Sequence, residues 1–241
     1  MEVRVLHQLD GARAARGVAV VIDVFRAFSL APCAFARDAV QILPVATPVE
    51  ALTLKRQDPE LLLAGERDGK PLEGFDFSNS PAAILRADLA GRSLVLRTSA
   101  GVQGLLAAEA ADQVITGSFV NAEAIVAWLR ARRPAVVSLV CMGWNATEPC
   151  AEDEACADYL RAGLQGAFPE FAAIRNRLRA DPSGAKFFDP SRPWFPAEDF
   201  EVCMQVNAFP FVLRRAMNAA GRMCLERLEV PTAAGDAEVA L

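Results

Sequence analysis

Four carboxylate side chains follow apolar, strand-like runs of this sequence and could bind a metal ion together. They are Asp23, Glu66, Glu152 and Asp153, which come after three different predicted strands. Carboxylate oxygens are hard ligands and the chain has one histidine, so the set suits Mg²⁺ better than zinc or copper. Glu152 and Asp153 would also stabilise a helix start, whereas Asp23 at a strand end is harder to explain structurally. The pattern predicts a magnesium-assisted reaction on an anionic substrate.

The segment 65–81 combines charged, glycine and turn-forming residues directly after an apolar run. It contains Glu66 and Arg67, both candidate catalytic residues. A connection of this length without evident secondary structure is usually functional or disordered, and the apolar residues on both sides indicate that its ends are anchored. We therefore predict that it binds an anion or a metal. A solvated loop with incidental charge is the alternative interpretation.

Backbone N–H groups and arginines could together bind phosphate or sulfonate beyond the carboxyl ends of the strands. Several loops in these places open helices with Ser, Asn or Gly, which leaves N–H groups free at the positive end of the helix dipole. For Ser118 and Asn121, ordinary N-capping is the preferred interpretation. The concurrence of several such loops with Arg26 and Arg67 nevertheless favours an anion site.

Short β-branched runs alternate at least four times with helical stretches rich in alanine and leucine. The runs and the helices that follow them are 17–23 with 27–37, 93–97 with 101–111, 113–116 with 121–132, and 135–140 with 152–165. Near-continuous apolar strands of this kind predict an α/β fold, with a largely parallel sheet covered by helices on both faces. No linker divides the sequence, so we predict a single domain over residues 1–241.

The composition is that of a globular chain without a polyanionic partner. Its 241 residues are 53% hydrophobic and 23% charged, and the net charge is −5 with the signs interspersed. Because there is no basic stripe, nucleic acid is not an expected partner. No apolar run approaches the roughly 20 residues that span a bilayer, and the amino end lacks a signal-peptide pattern. The expectation is a cytoplasmic protein with no membrane partner.

The cysteines and the histidine are interpreted as structural. Since the six cysteines form no Cys-x-x-Cys pair, we expect reduced thiols without a zinc or redox function. Packing in the core is the preferred interpretation for Cys33, Cys141 and Cys203, and also for Cys150 and Cys156 beside the acidic cluster. His7 is expected at the surface or at a sheet edge.

The usual signatures of hydrolases and nucleotide-binding proteins are missing. The sequence has no Gly-x-x-x-x-Gly-Lys-Ser/Thr loop, no Gly-x-Gly-x-x-Gly turn and no Gly-x-Ser-x-Gly elbow. It also lacks a cysteine followed by arginine six positions later, and an Asp-x-Asp nucleophile after a strand. A single histidine excludes phosphohistidine pairs and His-rich binuclear metal sites.

Several segments of the sequence resemble the 2-phosphosulfolactate phosphatase family. The run Val-Ile-Asp-Val-Phe-Arg-Ala at 21–27 is similar to the family's Val-Ile-Asp-Val-Leu-Arg-Ala. The segment 65–81 resembles its Gly-Glu-Arg, Gly-Phe and Asn-Ser-Pro motifs in order, and 117–122 resembles its Gly-Ser-Leu-x-Asn-Ala. Glu152-Asp153 is similar to its Glu-Asp-Asp cluster, and 195–205 to its carboxy-terminal element. The resemblance spans about residues 18–213.

The resemblance implies a Mg²⁺-dependent phosphatase that hydrolyses 2-phosphosulfolactate to sulfolactate and phosphate. It also implies a three-layer α/β/α fold of the family's own, with a large mixed, mostly parallel sheet that could consist of two intertwined halves, and a homodimer. The residues assigned to catalysis are Asp23, Arg26, Glu66 and Arg67. Those assigned to the substrate are Asn79, Ser80, Ser99, Gly101, Ser118 and Asn121, and those assigned to the metal are Asp23, Glu66, Glu152 and Asp153.

The chain departs from the family pattern at four positions. They are Ala100 where Asn is expected, Phe28 where a hydroxyl residue is expected, Asn207 where an acid is expected, and Glu154 in place of Asp. The alternatives are therefore a phosphatase for another small phosphorylated hydroxy acid and a non-catalytic small-anion-binding protein. For the nucleophile we prefer water deprotonated by a carboxylate, with direct attack by Asp23 as the alternative.

Overall fold

The computed structural model describes residues 1–230, and residues 231–241 of the predicted single domain lie outside the described residues. The strands are β1 (Glu2–His7), β2 (Val18–Ile22), β3 (Gln41–Pro44), β4 (Leu62–Arg67), β5 (Lys70–Pro71), β6 (Ser93–Arg97), β7 (Gln113–Gly117), β8 (Val136–Cys141), β9 (Phe211–Met217) and β10 (Met223–Glu229). The helices are α1 (Gln8–Ala14), α2 (Ala27–Ala36), α3 (Pro48–Gln57), α4 (Pro81–Arg86), α5 (Gly101–Ala107), α6 (Ala122–Arg132), α7 (Ala151–Gln165), α8 (Phe171–Ala180), α9 (Pro182–Ala185) and α10 (Ala197–Cys203). Short 3₁₀ turns occupy Phe119–Asn121 and Lys186–Phe188.

The strands form one sheet in the order β1-β8-β2-β7-β9-β10-β3-β6-β4-β5. Two parallel groups, β1-β8-β2-β7 and β3-β6-β4, are joined by the antiparallel pair β9 and β10. The expected α/β fold with a large mixed, mostly parallel sheet is therefore confirmed.

The strands of one parallel group are antiparallel to those of the other, yet the carboxyl ends of strands from both groups lie close together. The backbone N–H of Gly101, which follows β6, lies 2.7 Å from Oδ2 of Asp23, which follows β2. Sheets twist by about 20–25° per strand, so the six steps from β2 to β4 accumulate about 120–150°. That rotation explains why strands of both groups end on the same side of the molecule.

Helix α2 fills the space between the two groups and is buried on every side. All residues from Ala27 to Phe35 are buried, as expected for a helix that is apolar around its whole circumference. It shares one core with Val21 of β2 and with Leu94 and Leu96 of β6. This packing fixes the end of β2, where Asp23 stands, against the second group of strands.

The outer faces of the sheet are covered by other helices, which gives the expected helix layers on both sides. Residues of α6 and α7 cover the group that contains β2, with Ile125 and Leu160 in one core with Val20. Residues of α3 pack on the second group, with Ala51 and Leu54 in one core with Leu63, Val95 and Cys224. No helix within residues 1–230 is long and apolar enough to cross a membrane.

Two boundaries differ by more than one residue from the sequence-based expectation. The segment 65–81 is not a loop from its start, because β4 continues through Arg67 and turns back into β5. Helix α5 ends at Ala107 and not at residue 111. In the last turn of α5, the Leu105 carbonyl accepts a hydrogen bond at 2.6 Å from the guanidinium of Arg215 in β9. This bond satisfies one of the carbonyl groups that have no partner within the helix at its end.

Candidate active site

Asp23 follows β2 directly and is held by two backbone N–H groups. Oδ1 accepts a hydrogen bond from Ala27 at 3.2 Å, and Oδ2 accepts one from Gly101 at 2.7 Å. A Cβ atom on residue 101 would lie 2.6 Å from Oδ2, so only glycine allows this approach. Gly101 therefore positions the Asp23 carboxylate, and a direct contact of Gly101 with substrate stays a prediction.

Glu66 lies near the end of β4 and is held in the same way. Its Oε1 accepts a hydrogen bond from the Ser99 N–H at 2.6 Å, and its Oε2 accepts one from the Gly69 N–H at 2.7 Å. The Arg97 guanidinium donates to the Glu66 carbonyl and, at 3.2 Å, to the Ser99 hydroxyl. Glu66 is thus fixed between the turn after β4 and the loop after β6.

Glu152 and Asp153 lie in the first turn of α7, and both are buried. Both carboxylate oxygens of Asp153 accept backbone hydrogen bonds, from Val24 at 2.9 Å and from Gly143 at 2.8 Å. Oε2 of Glu152, in contrast, is buried without a hydrogen-bond partner among residues 1–230. Asp153 therefore joins α7 to the residue after Asp23, while Glu152 has a free ligand atom.

Burial and mutual repulsion disfavour the ionised forms of these carboxylates. Burial raises the pKa of Asp23 to about 6, and the charges of Glu66 and Glu152 contribute in the same direction. Burial also raises the pKa of Asp153 well above its usual range, with further contributions from Glu152 and Asp23. The pKa of Glu152 is raised by burial as well, while the nearby Lys186 charge opposes that shift.

The donor set fits Mg²⁺. It consists of hard carboxylate oxygens that disfavour one another's ionised form, and it includes the orphaned buried oxygen of Glu152. Buried charges are normally paired or bound to metal, and Mg²⁺ sites use one or two carboxylates together with water and substrate oxygens. Asp23 and Glu66 line one cleft and have the chemistry to hold such an ion, whereas Glu152 does not line that cleft, so its place as a third ligand stays a prediction.

Several of the predicted site residues line one small cleft. Its lining consists of Asp23, Phe25, Arg26, Glu66, Gly69, Asn79, Ser99, Ala100, Gly143, Trp144, Asn145 and Phe195. The free volume is about 30 Å³, above the roughly 10–15 Å³ that one water molecule needs. The cleft can therefore enclose an ion or a water molecule, whereas most of an organic substrate must lie toward its open side.

Arg26 lines this cleft but is largely committed to bonds within the protein. Its Nη1 donates to Asp199 Oδ2 at 2.7 Å and to the Trp194 carbonyl at 2.9 Å, and its Nη2 donates to the Gly69 carbonyl at 3.0 Å. The Phe195 ring lies 4.8 Å from the guanidinium carbon. One Nη2 hydrogen and the Nε hydrogen are not used by these three bonds, so a role in phosphate binding stays a prediction beside this structural role.

Two further predicted residues, Ser80 and Asn79, are adjacent in the sequence but have different surroundings. Ser80 caps α4 and donates to Asp199 Oδ1 at 2.6 Å, so its hydroxyl is directed to the buried ion pair. Asn79 lines the cleft, and its buried Oδ1 has no partner within the part of the chain that the structure describes. Of the two neighbours, Asn79 is the one available to a ligand.

Arg67, Ser118 and Asn121 do not line the cleft. Arg67 is exposed at the end of β4. Ser118 accepts from the Val120 N–H at 3.5 Å, as a cap does, and shares a 2.7 Å hydrogen bond with Ser29. The Asn121 amide donates to the Phe211 carbonyl at 3.1 Å, so it ties α6 to β9. Their assignment to catalysis or substrate binding stays a prediction.

Sequence comparison with known proteins shows the family of the chain. The model of the 2-phosphosulpholactate phosphatase family matches residues 5–186. The chain belongs to this family. Because it is a family of phosphatases, the expected family and the expected enzyme class of phosphoric monoester hydrolase are both confirmed.

Individual relatives are similar over different lengths. A protein of Bacillus subtilis named "Probable 2-phosphosulfolactate phosphatase" is 33% identical over 199 residues, which cover 81% of this chain and 85% of the relative. Proteins with the same name from Caldicellulosiruptor saccharolyticus and Deinococcus radiodurans are 37% and 36% identical. Those two matches cover 58% and 52% of this chain, and 60% and 53% of the relatives.

Within this member of the 2-phosphosulpholactate phosphatase family, the structure adds two buried residues to those chosen from the sequence. Asp199 binds both Arg26 and Ser80. Lys186 is buried, with its ammonium group 4.8 Å from the Trp144 ring and 5.1 Å from the Phe195 ring. Asp199 lies inside the 195–205 segment that carried the resemblance, so a search for a partner of Arg26 there could have found it. No sequence signal distinguished Lys186.

The departures from the family pattern have different structural settings. Ala100 lines the cleft, whereas Phe28 is fully buried in the core with α2. Asn207 accepts a hydrogen bond from the Glu123 N–H at 2.9 Å, in the first turn of α6. Of these three positions, Ala100 is the one that could affect substrate choice directly.

Proposed function

We propose that this protein is a Mg²⁺-dependent phosphatase that hydrolyses 2-phosphosulfolactate to sulfolactate and phosphate. The observation that carries the proposal is the meeting of Asp23 and Glu66, from different strand groups, in one cleft with buried and mutually repelling carboxylates. Membership of the family supports the reaction, and the names of the relatives support the substrate. The carboxylates support the metal.

Asp23, Glu66 and Glu152 would hold the ion, and Asp153 would position the helix that carries Glu152. When bound, a divalent cation offsets the charge on phosphate oxygens and makes water more acidic, which are the main requirements of phosphomonoester hydrolysis. Nine-tenths or more of each of these side chains is buried, so bulk water is largely excluded from the carboxylates.

The nucleophile in this proposal is water, with a carboxylate as the base. Both Asp23 oxygens already accept a backbone N–H, and this lowers their own nucleophilicity. Water would attack phosphorus as the bond to the ester oxygen breaks, and that oxygen would leave with a proton.

Three groups in the cleft are suited to the phosphoryl oxygens. The Ser99 hydroxyl accepts its hydrogen bond from Arg97 at 3.2 Å, so its own proton remains available to an anion. The Asn79 amide lines the cleft, and Arg26 has N–H groups beyond those used by its three internal bonds. Together they would neutralise and orient the transferred group.

A phosphatase for another small phosphorylated hydroxy acid is the second candidate, because Ala100 replaces an expected amide in the cleft lining. A non-catalytic anion-binding protein would retain the arginines and have no use for the buried carboxylates. We also propose the homodimer and the cytoplasmic location expected from the sequence. The elution volume and light scattering of the purified protein would test the dimer.

Phosphate release tests the function most directly. Purified protein is assayed with a panel of phosphorylated hydroxy acids that includes 2-phosphosulfolactate, with Mg²⁺ and with EDTA. We expect turnover of 2-phosphosulfolactate with Mg²⁺ and none with EDTA, and a loss on the order of 100-fold in Ser99→Ala. The matched control is Ser191→Ala, which changes an exposed hydroxyl. Faster turnover of another member of the panel would favour the second candidate, and full turnover in EDTA would refute the metal.

A further inference from the structure

A second group of potential metal ligands lies outside the candidate active site. It consists of His7, Cys141 and Glu154, whose ligand atoms all lie within 4.8 Å of one another. None of the three lines the cleft around Asp23 and Glu66. His7 Nδ1 lies 2.9 Å from Glu154 Oε1, and the two side chains are 52% and 38% exposed.

The sheet register explains why two of these residues are together. His7 ends β1 and Cys141 ends β8, and the parallel pairing places them directly opposite each other. Registered residues on neighbouring strands direct their side chains to the same face of a sheet. The imidazole and the thiol are therefore neighbours because of the backbone, without any need for an ion to bring them together.

The third residue comes from a different element. Glu154 lies in the first turn of α7, and α7 packs on β8. The Cys141 thiol also contacts this turn, with Sγ 3.5 Å from the Asp153 carbonyl. The cluster thus joins the ends of two strands to the start of the helix that carries Glu152 and Asp153.

We propose that His7, Cys141 and Glu154 bind a transition-metal ion of the zinc class. One imidazole nitrogen, one sulfur and one carboxylate oxygen are the ligand types that Zn²⁺ and Co²⁺ take, and Mg²⁺ disfavours sulfur and nitrogen. Bond lengths of about 2.0–2.3 Å place tetrahedral ligands roughly 3.3–3.8 Å apart, so side-chain shifts of about 1 Å or less would close this cluster around an ion. The thiol would release its proton on binding, and water would complete the coordination.

The ion would act as a clamp at the start of α7. Because it binds the folded arrangement of three separate elements, binding must stabilise the folded state. For a chain of this size, saturation at roughly 100 times Kd should raise the Tm by about 5–10 °C. The inference is independent of the proposed phosphatase reaction, since the two ligand sets share no residue.

Cobalt spectroscopy tests the site. Full-length protein is freed of metal with EDTA, placed in excess Mg²⁺, and titrated with Co²⁺. We expect one equivalent to bind with a thiolate-to-cobalt charge-transfer absorption and Zn²⁺ to displace it. Cys141→Ser should lose that absorption, and His7→Gln and Glu154→Gln should each weaken binding by about 10-fold or more. Cys150→Ser, which changes a partly exposed thiol outside the cluster, should bind as the wild type does.

Two comparisons make the result decisive. Asp23→Asn should retain the cobalt absorption, because Asp23 belongs to the other ligand set. Circular dichroism would identify a variant that fails to fold. His7→Gln changes an exposed side chain and serves as the test if Cys141→Ser does not fold. Binding without a thiolate absorption, or binding that is unchanged in both His7→Gln and Glu154→Gln, would overturn the proposal.

Discussion

The guanidinium group of Arg26 forms a buried ion pair with Asp199, with Nη1 2.7 Å from Oδ2 and both side chains almost wholly inaccessible to solvent. Because Asp199 also binds Ser80 and the N–H of Ala82, the pair connects the end of β2 with the starts of α4 and α10. Removal of one partner leaves the other charge buried and unpaired, which typically costs about 3–5 kcal/mol.

We therefore expect Arg26→Met and Asp199→Asn each to lower the free energy of unfolding by about 3–5 kcal/mol. Urea denaturation of the single and double variants measures this as a double-mutant cycle. The double variant should lose clearly less than the sum of the single losses, since each single change strands one charge. Additive losses would show that the two side chains do not stabilise each other.

The position of Asp23 depends on the absence of a side chain at residue 101. In Gly101→Ala the new Cβ would approach Asp23 Oδ2 to 2.6 Å, so the carboxylate must move. A displacement of about 1 Å can cost on the order of 100-fold in turnover, while alanine in the first turn of α5 should keep the protein folded. Turnover and Tm are measured side by side.

Gly91→Ala is the control for that variant, because it adds the same methyl group where no atom lies within 4 Å. It should keep turnover near the wild-type value even if its positive φ lowers the Tm slightly. Wild-type turnover in Gly101→Ala would show that the placement of Asp23 does not limit the reaction.

Glu152→Gln should weaken the binding of Mg²⁺ and at the same time stabilise the metal-free protein. The change removes a charge from a buried side chain whose Oε2 has no partner among residues 1–230, so the metal-free protein should gain stability near pH 8. Mg²⁺ affinity should fall by about 10-fold or more, because one proposed ligand loses its charge. Calorimetric titration measures the affinity, and thermal unfolding in EDTA measures the stability.

An exposed glutamate provides the comparison for Glu152→Gln. Glu170→Gln makes the same chemical change at the solvent-exposed residue before α8. It should alter neither the Mg²⁺ affinity nor the stability of the metal-free protein. If Glu152→Gln bound Mg²⁺ as tightly as the wild type, Glu152 would not be a ligand.

The raised pKa of Asp23 predicts that a rise in pH lowers the stability of the metal-free protein and increases its affinity for Mg²⁺. Burial raises this pKa from 3.8 to about 6, so between these values the folded state keeps a proton that the unfolded state has lost. The stability contributed by this group is therefore lost as pH rises from about 4 to about 6. Mg²⁺ needs the ionised form, so its affinity should rise over the same range.

Thermal unfolding across pH 4 to 8, in EDTA and in saturating Mg²⁺, checks both directions. In EDTA the Tm of the wild type should fall relative to Asp23→Asn as pH rises from about 4 to about 6, because only the wild type loses the contribution of this carboxyl group. The increase in Tm that saturating Mg²⁺ produces should become larger as pH rises. A Mg²⁺ effect that is constant from pH 4 to pH 8 would contradict the proposed ligand set.

The strands and helices that carry the site could be predicted from the sequence, but their arrangement relative to one another could not. The runs before Asp23 and Ser99 are strands because their β-branched, apolar residues have buried positions on both faces of the sheet. The family motifs correctly indicated family and enzyme class. Local pattern could not indicate that the carboxyl ends of two oppositely directed strand groups converge, because that depends on the accumulated twist of the whole sheet.

The roles of single residues were also beyond local pattern. Ser80 and Asn79 are adjacent in the sequence, yet one binds Asp199 and the other lines the cleft. Lys186 lies among four aromatic rings that are contributed by three separate stretches of chain, at residues 25, 144 and 187–195. Such surroundings are set by tertiary packing, which composition and spacing do not encode.

The strand order has a consequence for how the chain acquires its structure during synthesis. The group β3-β6-β4 comes from one continuous stretch, residues 41–97, whereas β2 must wait for β7 and β8, which begin at residues 113 and 136. Contacts of such long sequence separation form slowly, and domains emerge from the ribosome amino end first. We therefore expect Asp23 to leave the ribosome early and to be among the last residues to reach its native surroundings, so nascent chains that end before residue 141 should lack a complete site.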